Sequence, residues 1–296
     1  MNERKRQVLF SAQQLFVEKG FTSTSIQDIL NESQISKGTF YNYFSSKNEC
    51  LIAILDLGQE ETLIRRQELL IGHDISDKTI LAEQISIRQQ VNRDHNLFPI
   101  FEAIFHSGDP ELSSFAKKNH VAELRWLAER LVDVYGKSTT PYASDGAVLM
   151  LGMLHHMQQA RSASSTEEVD TLELVKFIMR RMDSIIPTMI ETENPLLEEG
   201  LFELASDNIN KKVQTKKQLL KKLTAFRNTL NIEEQPNDKE YLDFLSDEIN
   251  SAHPRSFLLE TVTRSFRESF IDTPHEFEAR KLASDIWLYI ESFKRK

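Results

Sequence analysis

Four side chains within seven positions, Lys37, Thr39, Tyr41 and Tyr43, combine an ammonium with three hydroxyls, and Lys47 adds a second ammonium four residues on. Groups of this kind donate hydrogen bonds to anionic oxygens and to base edges; they make and break no covalent bonds themselves. Among them stand Phe40 and Phe44, four apart, the interval that puts two side chains on one helix face. The stretch therefore has an apolar back, shared with the preceding Ile35, and a donor front. Catalytic chemistry has no comparable signature. The chain holds no glycine-rich phosphate loop, no Gly-x-Ser-x-Gly elbow and no His-Glu-x-x-His helix, so no catalytic residue is expected. His106 and His120 with Asp109 and Glu111, or the pair His155 and His156, come nearest to a metal site. Adjacent residues on a helix point about 100° apart, and no two histidines stand three or four apart beside a carboxylate. Neither a metal nor a cofactor is expected.

The donor front must be carried on a short helix, and Ser36 can cap its start. Upstream, Thr24 and Gln27 have capping-box spacing ahead of Ile26, Ile29 and Leu30, which predicts another short helix before the turn. Still earlier, Val8, Ala12, Leu15 and Phe16 form one helical stripe. Gly20 ends that helix in the left-handed conformation, with Phe21 placed to pack back on Phe16. Ser46 and Glu49 repeat the capping-box spacing and open a fourth helix through Leu51, Ile54 and Leu55 to about Leu70. Residues 24 to 47 thus read as helix, short turn, helix. In that arrangement the second helix offers its N-terminal residues to base edges and phosphates while its apolar back holds it in place.

Composition agrees with an all-α chain. Glycine and proline number only 9 and 8 in 296 residues, too few for a turn-rich β fold. Helices are predicted near residues 77–94, 97–106, 110–136, 141–162 and 167–191. More helix lies beyond, broken near 231–237, 253–254 and 272–274. The expected architecture is an N-terminal three-helix helix-turn-helix DNA-binding domain plus a larger helical body. Its boundaries fall at 1–62 (helix-turn-helix at 25–44), 63–194, and 195–296 as a helical extension without an assigned role. One cysteine, Cys50, excludes an intramolecular disulfide and any cysteine metal knuckle. The longest apolar run, Ala147 to Leu154, is far too short to span a bilayer. No apolar signal segment comes after Arg4, Lys5 and Arg6, so a cytoplasmic location is expected. The net charge of −9 is uneven: residues 1–48 carry +2 and the remainder −11. A basic head on an acidic body is compatible with DNA binding.

The run Ser36-Lys37-Gly38-Thr39-Phe40-Tyr41-Asn42-Tyr43-Phe44, followed by Ser46-Lys47, resembles the TetR family of bacterial transcriptional regulators. Phe16-Val17-Glu18-Lys19-Gly20-Phe21 and Thr24-Ser25-Ile26 reinforce the resemblance, which covers about residues 4 to 55. It implies that Gln27, Lys37, Gly38 and Thr39 lie near base edges and that Ser25, Tyr41, Tyr43 and Lys47 engage phosphates. Ser36 and Asn42 complete the expected DNA-facing set. Lys37 can donate to guanine and Thr39 can touch a thymine methyl, while Gly38 allows close backbone approach at a helix N-terminus. Two departures stand out. The turn carries Ser33-Gln34-Ile35 where the family usually has a small residue and a glycine, which puts Gln34 at a positive φ. The family's usual length is also nearly complete by Glu191, which leaves residues from Pro195 onward unexplained.

The resemblance further implies an effector pocket in the body. Phe98, Phe101 and Phe105 recur at three and four, and Trp126 lies on a later helix with Leu124, Leu127 and Leu131; they can line an apolar cavity or be ordinary helix packing. A homodimer is implied too, through helices near Tyr142–Arg161 and Val169–Thr192, with Ala147, Leu151, Leu154 and Gln158 on one face. The Lys pairs 211–212, 216–217 and 221–222 read as a solvated helix face, with a second nucleic-acid contact as the alternative. The expected function is a sequence-specific DNA-binding regulator, a repressor released from a palindromic operator by a partly apolar small molecule. Its partners are double-stranded DNA and a second copy of the chain, with no membrane. The competing reading is a protein of the same fold that acts through a protein partner.

Overall fold

The computed structural model describes residues 3–164, 170–204, 216–230, 236–251 and 253–294. Among the described residues every regular element is helical. The chain divides into two compact units, Met1–Ile209 and Asn210–Lys296. The first holds α1 (Glu3–Glu18), α2 (Ile26–Ser33), α3 (Lys37–Tyr43), α4 (Lys47–Leu70), α5 (Lys78–Asp94), α6 (Phe98–Ser107) and α7 (Pro110–Tyr135). A 3-10 turn at Lys137–Tyr142 leads to α8 (Ala143–Ser164), α9 (Thr171–Thr192) and the short α10 (Leu201–Leu204). The helices expected between residues 77 and 191 all form, with ends shifted by no more than four residues.

Two cores fill this unit. The first joins Val8 and Phe16 of α1, Ile29 of α2, Phe40 of α3, Phe44, and Leu51 and Leu55 of α4. It is completed by Leu97, Ile100, Ile104 and Leu112, so α6 and the start of α7 close the core of the N-terminal head. The second joins Leu81 and Ile85 of α5, Leu127 and Leu131 of α7, Met150 and Leu154 of α8, and Val175, Ile178 and Met182 of α9.

Local chemistry sets the ends of the head's helices. Gly20 takes φ 81° after α1, and the Phe16 and Phe21 rings meet edge to face at 5.2 Å. The start of α2 differs from expectation. Ser25, not Thr24, is its N-cap, and it forms a capping box with Asp28 rather than with Gln27. Thr24 is buried, and its hydroxyl hydrogen-bonds the carbonyl oxygens of Leu15 (3.1 Å) and Gly20 (2.9 Å). Two cap-competent residues stand side by side, and the inward one is taken up by carbonyls at the end of α1 and in the turn after it. Ser36 and Ser46 cap α3 and α4 as expected.

The second unit holds α11 (Lys216–Arg227), α12 (Pro236–Asn250), α13 (Ser256–Ser269) and α14 (Glu276–Lys294). Its core includes Leu223, Leu245, Leu259 and Ile286, with Phe226, Phe266 and Phe270 stacked edge to face at 5.1 to 5.9 Å. Lys211 and Lys212 lie outside the described residues. Lys216 donates to the Asn250 carbonyl at 2.8 Å and Lys222 pairs with Asp285 at 2.6 Å, whereas Lys217 and Lys221 are exposed.

Gln34 closes α2 at φ 53° and ψ 42°, a left-handed conformation that an L side chain adopts at a cost. Gln34→Gly is expected to stabilise the protein by about 0.5–1 kcal/mol, strain relief outweighing the added freedom of the unfolded chain. Thermal denaturation should show a small rise in Tm for Gln34→Gly and a fall for Gln34→Val.

Candidate nucleic-acid interface

The expected reading helix is α3, seven residues long. Its back is fixed: Phe40 and Phe44 are fully buried, their rings 5.6 Å apart. Its start is fixed by Ser36, whose Oγ accepts from the Thr39 amide at 3.1 Å and lies 2.9 Å from the Thr39 hydroxyl. Lys37, Gly38, Tyr41 and Asn42 then stand exposed on one continuous front. Thr39 and Tyr43 are half-buried beside it. Tyr41 leans edge-on against Phe40 at 5.6 Å, which orients its hydroxyl outward at little entropic cost.

Gly38 is informative because nothing inside the chain requires it. It lies in right-handed helix, and a Cβ there would meet only the Ser36 Oγ at 3.8 Å, an ordinary contact. A glycine in a helix costs about 0.5–1 kcal/mol relative to alanine. The empty space therefore faces outward, where a phosphate or a base edge would approach the first turn of the helix.

The flanking residues divide between surface and scaffold. Ser25 is exposed but tied into its capping box, and hydrogen bonds from its side chain and backbone hold the Asp28 carboxyl down at about 2. Gln27 is exposed and donates to Asn31 at 2.9 Å. Lys47 is more structural than expected. Its ammonium donates to the carbonyls of Phe21 and Thr24, each at 2.7 Å, and sits 4.4 Å from the centre of the Phe21 ring. Partial burial pushes its pKa down. Two of its three donors are spent on the turn before α2, which leaves one for an outside oxygen.

The head is also hydrogen-bonded to the body. Asn48, at the start of α4, donates to Asp109 (2.9 Å) and Glu111 (3.1 Å) at the start of α7. Gln13 of α1 donates to the His95 carbonyl between α5 and α6.

Of the four aromatics expected to share a pocket, Phe98, Phe101 and Trp126 stand in different surroundings. Phe98 is 45% exposed, Phe101 packs on the core of the head, and the Phe105 side chain lies outside the described residues. Trp126 belongs to the second core and borders a cavity of about 20 Å³ with Ile85, Arg88, Glu123, Met150 and Leu154. Spacing on one helix sets a common face but not the core that face enters. The residues expected on the dimer face differ in burial. Ala147 and Leu154 are buried within the protomer's own second core, and Leu151 and Gln158 are half-buried. The free apolar face of α8 is the other one: Val148 (41% exposed), Leu149 (44%), Gly152, Met153, His156 and Ala160 border an open groove. Because α8 is apolar on both faces, periodicity alone cannot say which face is inside.

A charged cluster in the body has no sequence signal at all. Arg66 of α4 is 3% exposed and grips Glu123 of α7 with both terminal nitrogens, at 3.0 and 2.6 Å. Arg88 of α5 donates to the same carboxylate at 2.8 Å. Burial by itself raises the Glu123 carboxyl, but the two guanidinium charges and their hydrogen bonds outweigh it and hold it down at about 2.

A short capped helix with a buried aromatic back and an exposed donor front, preceded by α2 and a tight turn, defines a helix-turn-helix DNA-binding protein. Residues 8–54 match the family described as bacterial regulatory proteins, tetR family. The chain thus carries a TetR-type DNA-binding domain over these residues, within a chain of 296. In Bacillus subtilis the HTH-type transcriptional regulators YuxN and YerO are each 26% identical to it, over 275 and 262 residues. These matches span 91% and 86% of this chain and 94% and 86% of those proteins. UidR of Escherichia coli, another HTH-type transcriptional regulator, is 29% identical over 138 residues, 45% of this chain and 67% of its own length. The YuxN and YerO matches necessarily run well past Pro195, so the segment beyond the family's usual length has counterparts in both. No solved structure matches the chain significantly. No helix among the described residues is long and apolar enough to cross a membrane.

Gly38→Ala separates reading from folding. It is expected to leave Tm unchanged or slightly higher, as alanine replaces glycine in a helix, while weakening binding to cognate DNA at least about tenfold by filling the approach to the first turn. Equal DNA affinity of the two proteins in a gel-shift titration would show that nothing comes close to Gly38.

Proposed function

We propose that this DNA-binding transcriptional regulator is a repressor, that it holds a palindromic operator as a homodimer, and that a small molecule bound in the body releases it. The observation that carries the reading is the front of α3, where Lys37, Gly38, Tyr41 and Asn42 are exposed on a helix whose other face is locked into the core. Lys37 and Gly38 serve base-edge approach; Tyr41, Tyr43, Ser25 and the remaining donor of Lys47 serve phosphates. Seven residues reach only a few base pairs, and a two-fold axis doubles the site. The outward apolar face of α8 around Leu149 and Met153 supports pairing with a second copy, because such a face is costly to leave in water. The acidic remainder of the chain repels phosphate and favours approach through the head.

Release requires only that the ligand bind a non-binding arrangement more tightly than the DNA-bound one. The hydrogen bonds of Asn48 and Gln13 give a shift in the body a direct route to α1 and α4.

Fluorescence anisotropy against DNA from upstream of the protein's own gene should show a preference of about 10³ or more over a random duplex, with affinity falling as salt rises. Equal affinity for both duplexes would overturn sequence-specific reading there. Leu149→Glu combined with Met153→Glu is expected to give a folded monomer by sedimentation and to abolish operator binding. A dimer that survives both charges would place the interface elsewhere.

A further inference from the structure

We infer that the body binds a small amphiphilic carboxylate, its head group on Arg88 and its apolar portion between α5, α7, α8 and α9. The inference rests on the proposed effector-binding role of the body and specifies the ligand's chemistry.

The starting point is a charge imbalance. Arg66 is fully engaged: Nη1 and Nη2 fork onto Glu123, Nε donates to the Gln84 carbonyl at 2.9 Å, and the guanidinium lies 3.5 Å from the centre of the Trp126 ring. Gln84 returns a hydrogen bond to the Arg66 carbonyl at 2.7 Å, which fixes the pair between α4 and α5. Arg88 is only partly engaged. One of its terminal nitrogens donates to Glu123, and Glu123 is its only acidic partner among the described residues. Two guanidiniums thus share one carboxylate, leaving a surplus charge of +1 on Arg88, which is 27% exposed at the edge of the cavity. Such a charge beside apolar walls is only partly satisfied by water and is relieved by a second anion. Arg88 is the residue placed to take it, since a guanidinium with free donors presents a fork that matches a carboxylate.

The walls select the rest of the ligand. The cavity beside Arg88 and Glu123 is closed by Leu127, Met150, Leu154, Val175 and Ile178, and its volume of about 20 Å³ admits about one water. A sugar or a polyanion would leave its remaining polar groups unpaired against these side chains, whereas an alkyl or aryl chain would not. Room for that chain must come from repacking, and the lining suits this. Met150 is unbranched and adaptable, and Leu151 beside it on the cavity wall is only half-buried. The cavity is the closed form of a site that the ligand opens. A neutral ligand of the same shape gains the apolar contacts but not Arg88, and a cation is repelled.

The test uses the full-length protein, straight-chain carboxylates from butanoate to dodecanoate and the matching primary alcohols, each below its micelle concentration, with titration calorimetry as the readout. At least one carboxylate should bind saturably, at least tenfold more tightly than its alcohol. Arg88→Gln should bring that carboxylate down to the affinity of the alcohol, a loss of about 10- to 100-fold, and Arg88→Lys should keep part of the preference. Equal affinity of acids and alcohols, no carboxylate binding at millimolar concentration, or an unchanged affinity in folded Arg88→Gln would each overturn the inference. If Arg88→Gln does not fold, the acid-to-alcohol ratio in wild type and Arg88→Lys decides. Operator anisotropy on the same samples separates this from the release reading. Arg88-dependent binding that leaves DNA bound upholds the site and overturns release, whereas release by an alcohol as readily as by an acid does the reverse.

Discussion

A helix of seven residues cannot hold itself in water, because nucleation consumes most of what its few hydrogen bonds return. The reading helix α3 therefore exists only through what it is fastened to: the Ser36 cap at one end and the burial of Phe40 and Phe44 along its back. Those two rings are in turn fixed by a core to which α1, α2 and α4 contribute, and which Leu97, Ile100, Ile104 and Leu112 complete from α6 and α7. The head does not close its core alone. Its reading surface is physically part of the same unit as the body, and this dependence makes control of the one by the other mechanically simple.

Helix α4 carries the connection. Its 24 residues span about 36 Å as a rigid rod. Leu51, Ile54 and Leu55 at one end lie in the core of the head, and Arg66 near the other end is clamped to Glu123 and Gln84. Between them Gly58 packs so closely that a Cβ would stand 2.7 Å from Leu97 Cδ1. Glycine here permits contact between α4 and the residue just before α6. The crossing sets α4 directly against Leu97, and Leu97 belongs to the core that holds α3.

How much the sequence reveals depends on the range over which each signal acts. The end of α1 at Gly20, the caps at Ser36 and Ser46, the left-handed Gln34 and the apolar back of α3 are decided within a few residues, and all were legible. Thr24 reads from spacing as the cap of α2, but the cap is Ser25, because which of two neighbouring hydroxyls serves depends on whether the carbonyls of Leu15 and Gly20 come within reach of the other. Lys47 carries a motif position, but its use as a clamp on Phe21 and Thr24 depends on tertiary approach. The inward face of α8 was not legible because both of its faces are apolar. The Arg66–Glu123 pair was invisible for a plainer reason: 57 residues separate the partners, and each reads alone as an ordinary surface charge of a helix.

The C-terminal unit has the attributes of a module with its own core. Four helices surround the Phe226, Phe266 and Phe270 cluster, and Arg255 clamps Glu248 across the turn between α12 and α13, through its side chain at 2.6 Å and its backbone amide at 2.7 Å. Its lysine-rich helix α11 suggests a second contact with DNA on composition alone. The geometry weighs against that reading among the described residues. Lys216 is bonded to the carbonyl of Asn250 and Lys222 to Asp285, so two of the four described lysines already satisfy groups inside the unit. A phosphate contact from the remainder would rest on Lys217 and Lys221, two exposed charges. Two such contacts add little affinity at physiological salt. The excess of acid beyond residue 48 falls within residues 49–209, so it disfavours approach to DNA through the body rather than through the head that presents α3.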